Sequence, residues 1–155
     1  MQTQAAVHIR WMIRRDMEEV LAIESASFEY AWTEEDFLRC LRQRKCIGMV
    51  AEHGDVVCGY MVYELHEHCL QLLNLAVDLA WRHSGVGAAM MECLKSKLSP
   101  QRRRRITADI RESNLAAQKF YRACGFAATG VVRGFYDDSG EDAYRFVHTL
   151  EATDD

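Results

Sequence analysis

The chain has 155 residues, one proline and a formal net charge of −4, and 49% of its residues are apolar. This composition favours one domain with a real core, and we assign residues 1–155 to it, with short flexible ends at 1–6 and 151–155. The negative charge disfavours direct binding to nucleic acid. No apolar run approaches the ~18 residues of a membrane span, and the charged residues at 10–18 are unlike a signal peptide. We therefore expect a cytoplasmic protein that contacts no membrane.

The first 45 residues predict a strand followed by two helices. Apolar and polar residues alternate from Val7 to Ile13, which is typical of a half-buried strand. Asp16 is expected to cap a first helix, and Thr33 with Asp36 resembles the capping box of a second, shorter helix. The first helix is expected to bury Met17, Val20, Leu21 and Phe28, and the second Phe37 and Leu41.

Three consecutive strands are predicted next. Residues 47–52 and 56–63 are apolar runs joined by a glycine-containing turn, which is typical of a hairpin. Residues 70–77 add a third strand, in which the apolar alternation shifts by one residue between Leu72 and Leu73. Such a shift indicates either a β-bulge or a strand that is buried on both faces.

The second half of the chain predicts two helices that alternate with three strands. The elements are a helix from Ser84 that ends at Ser99-Pro100, a strand at 106–110, a helix capped by Ser113 or Asn114 that ends at Gly125, and strands at 126–133 and 143–150. The expected buried positions are Val86, Met90, Leu94 and Leu98 in the first helix and Ala116, Phe120 and Cys124 in the second. The order β-α-α-β-β-β-α-β-α-β-β indicates a single mixed α/β (α+β) domain with helices flanking a mixed sheet.

The loop after the strand at 70–77 has the composition of an anion site. Its pattern is Arg82-x-x-Gly85-x-Gly87, and it opens a helix. The first backbone N–H groups of a helix have no intrahelical partner and lie at the positive end of the helix dipole. The glycines let a phosphate approach the backbone without a Cβ in the way. The spacing is neither that of the P-loop nor that of the dinucleotide fingerprint.

Four segments, in the same order, resemble the GCN5-related N-acetyltransferase (GNAT) family, and within it the ribosomal-protein alanine N-acetyltransferases of the RimI type. The resemblance runs nearly from end to end and implies the GNAT fold. The segments are Phe28–Thr33, Asn74–Gly87, Asp109–Asn114 with Phe120-Tyr121 and Gly125-Phe126, and Tyr136 with Gly140–Ala143. The departures are Ala31 and Leu79 at positions where proline is common, Phe135 in place of a tyrosine, and Asp109 in place of a glutamate.

The resemblance implies acetyl-CoA as co-substrate and no metal. The glycine loop would hold the pyrophosphate through backbone N–H groups, and the strand before it would pair with the pantetheine arm through its backbone. Asn114 is implied as a side-chain contact to coenzyme A; a plain helix cap is an equal alternative, and the two roles can coexist. The predicted cofactor-binding residues are Leu75, Ala76, Val77, Arg82, His83, Ser84, Gly85, Val86, Gly87, Ala88 and Asn114.

Two side chains are candidates for acid–base chemistry. Asp109 falls on the opposite strand face from its apolar neighbours, and a carboxylate at the centre of such a sheet is unusual unless it is paired or functional. The resemblance implies that Asp109 accepts the amine's proton through water; a structural or water-ordering role is the alternative. It also implies that Tyr121 protonates the departing thiolate, with an ordinary half-buried tyrosine as the alternative. The implied acceptor contacts are Phe28, Tyr30, Trp32 and Tyr136.

The leading hypothesis is therefore an N-α-acetyltransferase. Its acceptor would be a protein N-terminus, the alanine of a small-subunit ribosomal protein. The amine would attack the acetyl group directly in a ternary complex. The enzyme itself is expected to be a monomer or a weak dimer. An alternative is an enzyme of the same fold that acetylates a small amine or a lysine side chain. A third hypothesis, from another class, is a non-catalytic regulatory module that binds coenzyme A.

Three further groups of reactive residues carry weaker signals. The six cysteines lack C-x-x-C or zinc-type spacing, so we expect free buried thiols, with a redox or metal role as the alternative. His66 and His68 could share a strand face, but without a third ligand we expect a surface strand rather than a metal site. The basic run Arg102–Arg105 is expected to be a solvated connection. A contact to a distal phosphate of the ligand or to a ribonucleoprotein partner is the alternative.

Overall fold

The computed structural model describes residues 6–151. Apart from Ala6 and Glu151, the ends that we predicted to be flexible lie outside the described residues. The strands are β1 (His8–Trp11), β2 (Cys46–His53), β3 (Val56–Leu65), β4 (Cys69–Val77), β5 (Arg105–Arg111), β6 (Ala127–Val132) and β7 (Ala143–Thr149). The helices are α1 (Met17–Ser27), α2 (Glu34–Leu41), α3 (Val86–Lys95) and α4 (Leu115–Ala123). The predicted order of strands and helices is therefore confirmed, and no helix within 6–151 is both long and apolar enough to cross a bilayer.

One seven-stranded sheet separates two apolar cores. Its strand order is β1-β2-β3-β4-β5-β7-β6, and only the β4–β5 pair is parallel. The helices α3 and α4 cover one face, where Met90, Leu94, Ile106 and Phe146 are fully buried. The helices α1 and α2 cover the other face, on which the second core packs around Val20, Phe37, Val50 and Tyr60. The mixed sheet flanked by helices agrees with the predicted fold class.

The sheet splits at a β-bulge in β4. Val62 pairs with Asn74 and Tyr63 with Leu72, so that Leu73 is the extra residue on β4. The parallel pairing of β4 with β5 ends at Leu72, whereas β4 stays paired with β3 as far as Val77. Of the two alternatives open for the shift at residues 72–73, the bulge is correct. Its consequence is a cleft between the carboxyl ends of β4 and β5, where one edge of β4 is left without a strand partner.

The two predicted caps of the N-terminal helices have different outcomes. The Thr33–Asp36 capping box is confirmed, since each side chain accepts a hydrogen bond from the other residue's backbone N–H. Asp16 occupies the N-cap position of α1, as predicted, but its side chain makes no capping hydrogen bond there. The Asp16 carboxylate accepts instead from Ile13 N at 2.8 Å and pairs with the Arg10 guanidinium. It therefore stabilises the short 3₁₀ turn at 14–16 and joins it to β1.

The end of α3 and one of the buried positions of α4 differ from the prediction. The helix α3 ends at Lys95 rather than at Ser99-Pro100, because residues 96–98 continue as tight turns. In α4 one predicted buried position is wrong, since Ala116 is exposed; Phe120 and Cys124 pack against the core as predicted, and Gln118 and Tyr121 are buried as well. The Gln118 amide donates to the backbone carbonyls of residues 111 and 112, which explains a buried polar residue on this helix.

Gly59 lets α3 pack closely on β3. A Cβ at this position would lie 2.9 Å from the backbone oxygen of Ala76 and 3.0 Å from Cε of Met90. Because the backbone oxygen cannot move without disturbing β4, we expect Gly59→Ala to lower the free energy of unfolding by about 1–3 kcal/mol. Gly130→Ala in β6 is the matched control, since a Cβ there meets nothing within 4 Å. Urea unfolding midpoints test the difference, and equal shifts for the two variants would contradict this account of the packing.

Candidate active site

A cavity of about 130 Å³ lies in the cleft between β4 and β5. The bulge opens this cleft, and the segment between α1 and α2 borders it from one side. The lining residues are Glu24, Phe28, Tyr30, Trp32, Leu72, Leu73, Asn74, Leu75, Asp109, Ile110, Arg111, Asn114, Ala117, Tyr121 and Tyr136. The structure therefore brings both predicted acid–base residues and all four predicted acceptor contacts to one cavity.

The glycine loop lies beyond the far end of β4, at the N-terminus of α3. His83 and Gly85 both have left-handed backbone conformations, with φ of 64° and 88°. The first N–H of α3 to bond back along the helix is that of Ala89, which donates to Gly85 at 2.9 Å. The N–H groups of the preceding residues 86–88 are therefore available to an anion, as the first turn of a helix requires.

Side chains of the loop fix its shape instead of pointing to a ligand. The Arg82 guanidinium donates to the Val77 carbonyl and to the Ser27 hydroxyl, each at 3.2 Å. The Ser84 hydroxyl donates to the Trp81 carbonyl. These bonds tie the loop to β4 and α1. An anion would thus meet backbone donors whose positions are set before it arrives.

The remaining residues that we predicted to contact acetyl-CoA lie on β4 and at the start of α4. Leu75 lines the cavity, and Ala76 and Val77 continue the unpaired edge of β4 towards the glycine loop. Asn114 lines the cavity and also caps α4, since its Oδ1 accepts from Ala117 N at 3.1 Å. The cap predicted as an alternative role is therefore present. It uses the side-chain oxygen and leaves the amide donors for a ligand.

Tyr121 is 5% exposed and belongs to the core beneath the cavity. Its ring contacts Phe120, Phe126 and Phe146. Burial raises its pKa above the ordinary value for a phenol, so the hydroxyl keeps its proton at neutral pH. Within residues 6–151 it has no hydrogen-bond partner of its own and remains open to a group in the cavity.

Asp109 forms a two-pronged ion pair with Arg145, which lies directly opposite on β7. Its carboxylate oxygens are 2.9 and 3.3 Å from Nε and Nη2 of the guanidinium. The Asp109 side chain is only 8% exposed, whereas that of Arg145 is 47% exposed. Asp109 is therefore paired and also lines the cavity.

The cavity is rimmed by aromatic rings that come from opposite sides of the cleft. Tyr30 precedes α2, and Tyr136 lies in the connection between β6 and β7. The Arg111 guanidinium lies over both rings, 4.5 Å from the centroid of Tyr30 and 3.8 Å from that of Tyr136. It is also paired with Asp138 and Glu141. Burial raises the pKa of Tyr136 to about 12, and its hydroxyl donates to the backbone oxygen of Asp109 at 3.1 Å.

Sequence reasoning missed Glu24, the most buried charged group at the cavity. It is 1% exposed and accepts three hydrogen bonds: from the hydroxyl of Tyr60, from Nδ2 of Asn74 at 2.6 Å and from the backbone N of Trp32 at 2.8 Å. The signal was present, because Glu24 lies four residues after Val20, within the apolar stripe of α1. Arg111 was also missed as a functional candidate, although it lies within one of the segments that resemble the GNAT family.

The weaker candidates lie away from the cavity. The basic run ends at Arg105, the first residue of β5. The other end of β5 borders the cavity and lies about 20 Å away, at ~3.3 Å per residue. Arg103 and Arg104 donate to backbone carbonyls of His66, Pro100 and Leu150, so the run mainly joins chain segments.

His66 and His68 lie in the turn between β3 and β4 rather than on a strand. Among the described residues, no three His, Cys, Asp or Glu side chains are grouped to hold a metal ion.

The fold and the cavity define an N-acetyltransferase domain of the acetyl-CoA-dependent type. Residues 17–126 match the Acetyltransferase (GNAT) family, and the chain belongs to that family. It is 29% identical over 144 residues to a Bacillus subtilis (strain 168) protein provisionally named a ribosomal protein bS18-alanine N-acetyltransferase, covering 92% of this chain and 94% of that protein. The bS18-alanine N-acetyltransferase of Escherichia coli (strain K12) is 25% identical over 130 residues, which are 83% and 87% of the two chains. The crystal structure of Ard1 from Thermoplasma volcanium superposes with a TM-score of 0.84 at 27% identity, over 96% of this chain and all of that one.

Proposed function

We propose that this chain is an N-α-acetyltransferase that transfers the acetyl group of acetyl-CoA to the N-terminal alanine of a small-subunit ribosomal protein. The observation that carries the proposal is the two-ended cleft. Backbone donors for a pyrophosphate lie beyond the carboxyl end of β4, and an aromatic rim suited to a peptide borders the cavity at the β-bulge of that strand. The cavity of about 130 Å³ between them favours a small first residue. The names of the bacterial relatives support alanine as that residue.

The donor would be held mainly by backbone groups. The pyrophosphate would accept from the free N–H groups at the start of α3, and the pantetheine arm would pair with the open edge of β4 as an added strand does. An N–H on that edge would also polarise the thioester carbonyl. In this arrangement the acetyl group would lie beside Tyr121 and Asp109, where an amine that enters past Tyr30 and Tyr136 would attack it directly.

The amine must be neutral to attack, and this requirement favours an N-terminus over a lysine. An α-amine has a pKa of about 7.7–8.0, whereas that of lysine is about 10.4. Deprotonating lysine at neutral pH would therefore cost roughly 3–4 kcal/mol more, at about 1.4 kcal/mol per pKa unit. Asp109 would accept the proton through water. The base need not be strong, because a useful fraction of an α-amine is already neutral at cellular pH.

The role of Asp109 predicts a pH-dependent defect. Asp109→Asn is expected to lower kcat/KM for a peptide acceptor about tenfold at pH 6.5, and to have almost no effect at pH 9, where the α-amine is already neutral. Initial rates across this pH range test it. Arg145→Gln is the control, because it removes the ion pair but keeps the carboxylate, and it should retain activity within about threefold. An equal loss in both variants at every pH would assign Asp109 a structural role.

Mass spectrometry of two peptides incubated with acetyl-CoA tests the acceptor class. One peptide has a free N-terminal alanine and no lysine; the other has a blocked N-terminus and an internal lysine. Acetylation of the first alone is the expected result. Acetylation of the second alone would replace the proposed acceptor by a lysine side chain. If neither peptide is labelled, the acceptor is a small amine or the chain is a binding module without turnover, and a titration with acetyl-CoA then tests whether the coenzyme A site itself exists.

A further inference from the structure

Two of the six cysteines are in contact where α2 meets β2. The Sγ atoms of Cys40 and Cys46 are 2.8 Å apart, which is well inside an ordinary non-bonded contact of about 3.5–4.0 Å between heavy atoms. No other pair of sulfur atoms within residues 6–151 is in hydrogen-bond contact, and all six cysteines are free thiols.

The backbone holds these two thiols together. Gln43 N donates to the Cys40 carbonyl and Cys46 N donates to the Gln43 carbonyl, both at 3.0 Å. Two successive turns therefore connect the last turn of α2 to the first residue of β2. Phe37 anchors α2 in the core with no exposed surface, and β2 is an inner strand of the sheet. The short S···S distance thus belongs to two well-anchored elements rather than to a loose loop.

The environments of the two sulfur atoms differ in a way that suits an attacking and a resolving thiol. Cys40 is half-buried and borders a surface hollow together with Asp36, Arg39 and Gln43. The hydrogen bond with Cys46, assisted by the nearby Lys45 cation, lowers the pKa of Cys40. The same hydrogen bond and burial raise the pKa of Cys46. A thiolate of lowered pKa that a small oxidant can reach is the reactive form of cysteine.

We infer that Cys40 and Cys46 are a site of reversible oxidation that forms an intramolecular disulfide, with a peroxide as oxidant. The Cys40 thiolate attacks one oxygen of hydrogen peroxide, forms a sulfenic acid and releases hydroxide. The Cys46 sulfur then attacks the Cys40 sulfur, the S–O bond breaks, and the proton of Cys46 leaves with the oxygen as water. In total, two thiols and one peroxide give one disulfide and two waters, and a dithiol reductant reverses the reaction.

Intact mass and peptide mapping of the full chain, treated with one equivalent of hydrogen peroxide, test this assignment. The expected result is a loss of about 2 Da that dithiothreitol reverses, since a disulfide lacks the two thiol hydrogens. Trypsin cleaves after Arg42, Arg44 and Lys45, so the linkage would join two separate peptides. Cys40 should become resistant to alkylation at least about tenfold faster than Cys93 and Cys124, which are also half-buried but have no sulfur partner within the described residues.

Serine variants separate the two roles. Cys46→Ser should leave a Cys40 sulfenic acid that dimedone traps, whereas Cys40→Ser should abolish both the adduct and the crosslink. Cys93→Ser is the matched control and should oxidise like the parent chain. Circular dichroism of both variants should match that of the parent chain, which would show that a missing crosslink is not a loss of the fold. A crosslink between other cysteines, or equal alkylation of all four half-buried thiols after peroxide, would overturn the assignment.

Discussion

Replacing Tyr121 by phenylalanine is expected to lower kcat by about 100-fold and to leave the Kd of acetyl-CoA within about twofold of its original value. The variant removes only the hydroxyl, while the ring stays packed against Phe126 and Phe146. Burial raises the Tyr121 pKa, so the phenol remains protonated and can donate to the leaving thiolate. General acid catalysis of this kind contributes about 10²–10⁴-fold. The rate of acetylation of a peptide at saturating substrate gives kcat, and a titration with acetyl-CoA gives the Kd.

Tyr63→Phe is the matched control for this variant. Tyr63 belongs to the same core, is 2% exposed and has a pKa that burial raises to about 12, but it does not line the cavity. It should therefore leave kcat unchanged. If Tyr121→Phe turned over at the parent rate, Tyr121 would have no part in the chemistry, and the thiolate would have to be stabilised by another group.

Replacing Glu24 by alanine should be the most destabilising of the substitutions considered, with an expected loss of about 3–5 kcal/mol in the free energy of unfolding. Three donors depend on this one buried carboxylate: the hydroxyl of Tyr60, the amide of Asn74 and the backbone N–H of Trp32. The Tyr60 hydroxyl would remain buried without a partner, at a cost of about 1–3 kcal/mol, and the half-buried donors of Asn74 and Trp32 would lose theirs as well. Denaturant unfolding followed by tryptophan fluorescence measures the loss.

Glu19→Ala provides a graded control on the same helix. Glu19 is exposed and accepts one hydrogen bond, from Val57 N at 3.0 Å, so its loss should cost no more than about 1.5 kcal/mol. Equal effects of the two alanine variants would contradict the role given to Glu24. Glu24→Gln keeps the size of the side chain and allows a kinetic test. Because Glu24 fixes Trp32 at the cavity, this variant should raise the acceptor KM several-fold while leaving the donor KM unchanged.

Of the two residues changed in these predictions, the sequence analysis singled out Tyr121 but not Glu24. Tyr121 was identified by its place in a segment that resembles the GNAT family, and the structure adds that it is buried at the cavity. Glu24 was passed over, although a carboxylate within an apolar stripe of α1 was visible. Its partners Tyr60 and Asn74 lie 36 and 50 residues away. Arg145, the partner of Asp109, is likewise 36 residues distant, and its contact depends on the β5–β7 register.

The sequence by itself determined the order of the elements, the Thr33–Asp36 capping box, a cap of α4 by Ser113 or Asn114, and the glycine loop at the start of α3. These features arise from side-chain periodicity and from hydrogen bonds that span three or four residues, so a short stretch of chain contains all the information they need. Only the tertiary structure decided that the shift at Leu73 is a bulge that opens the cleft, that Asp109 is paired, and that Arg111 lies between two rings. Those outcomes depend on which strands become neighbours and in which register, and residues far apart in the chain set both.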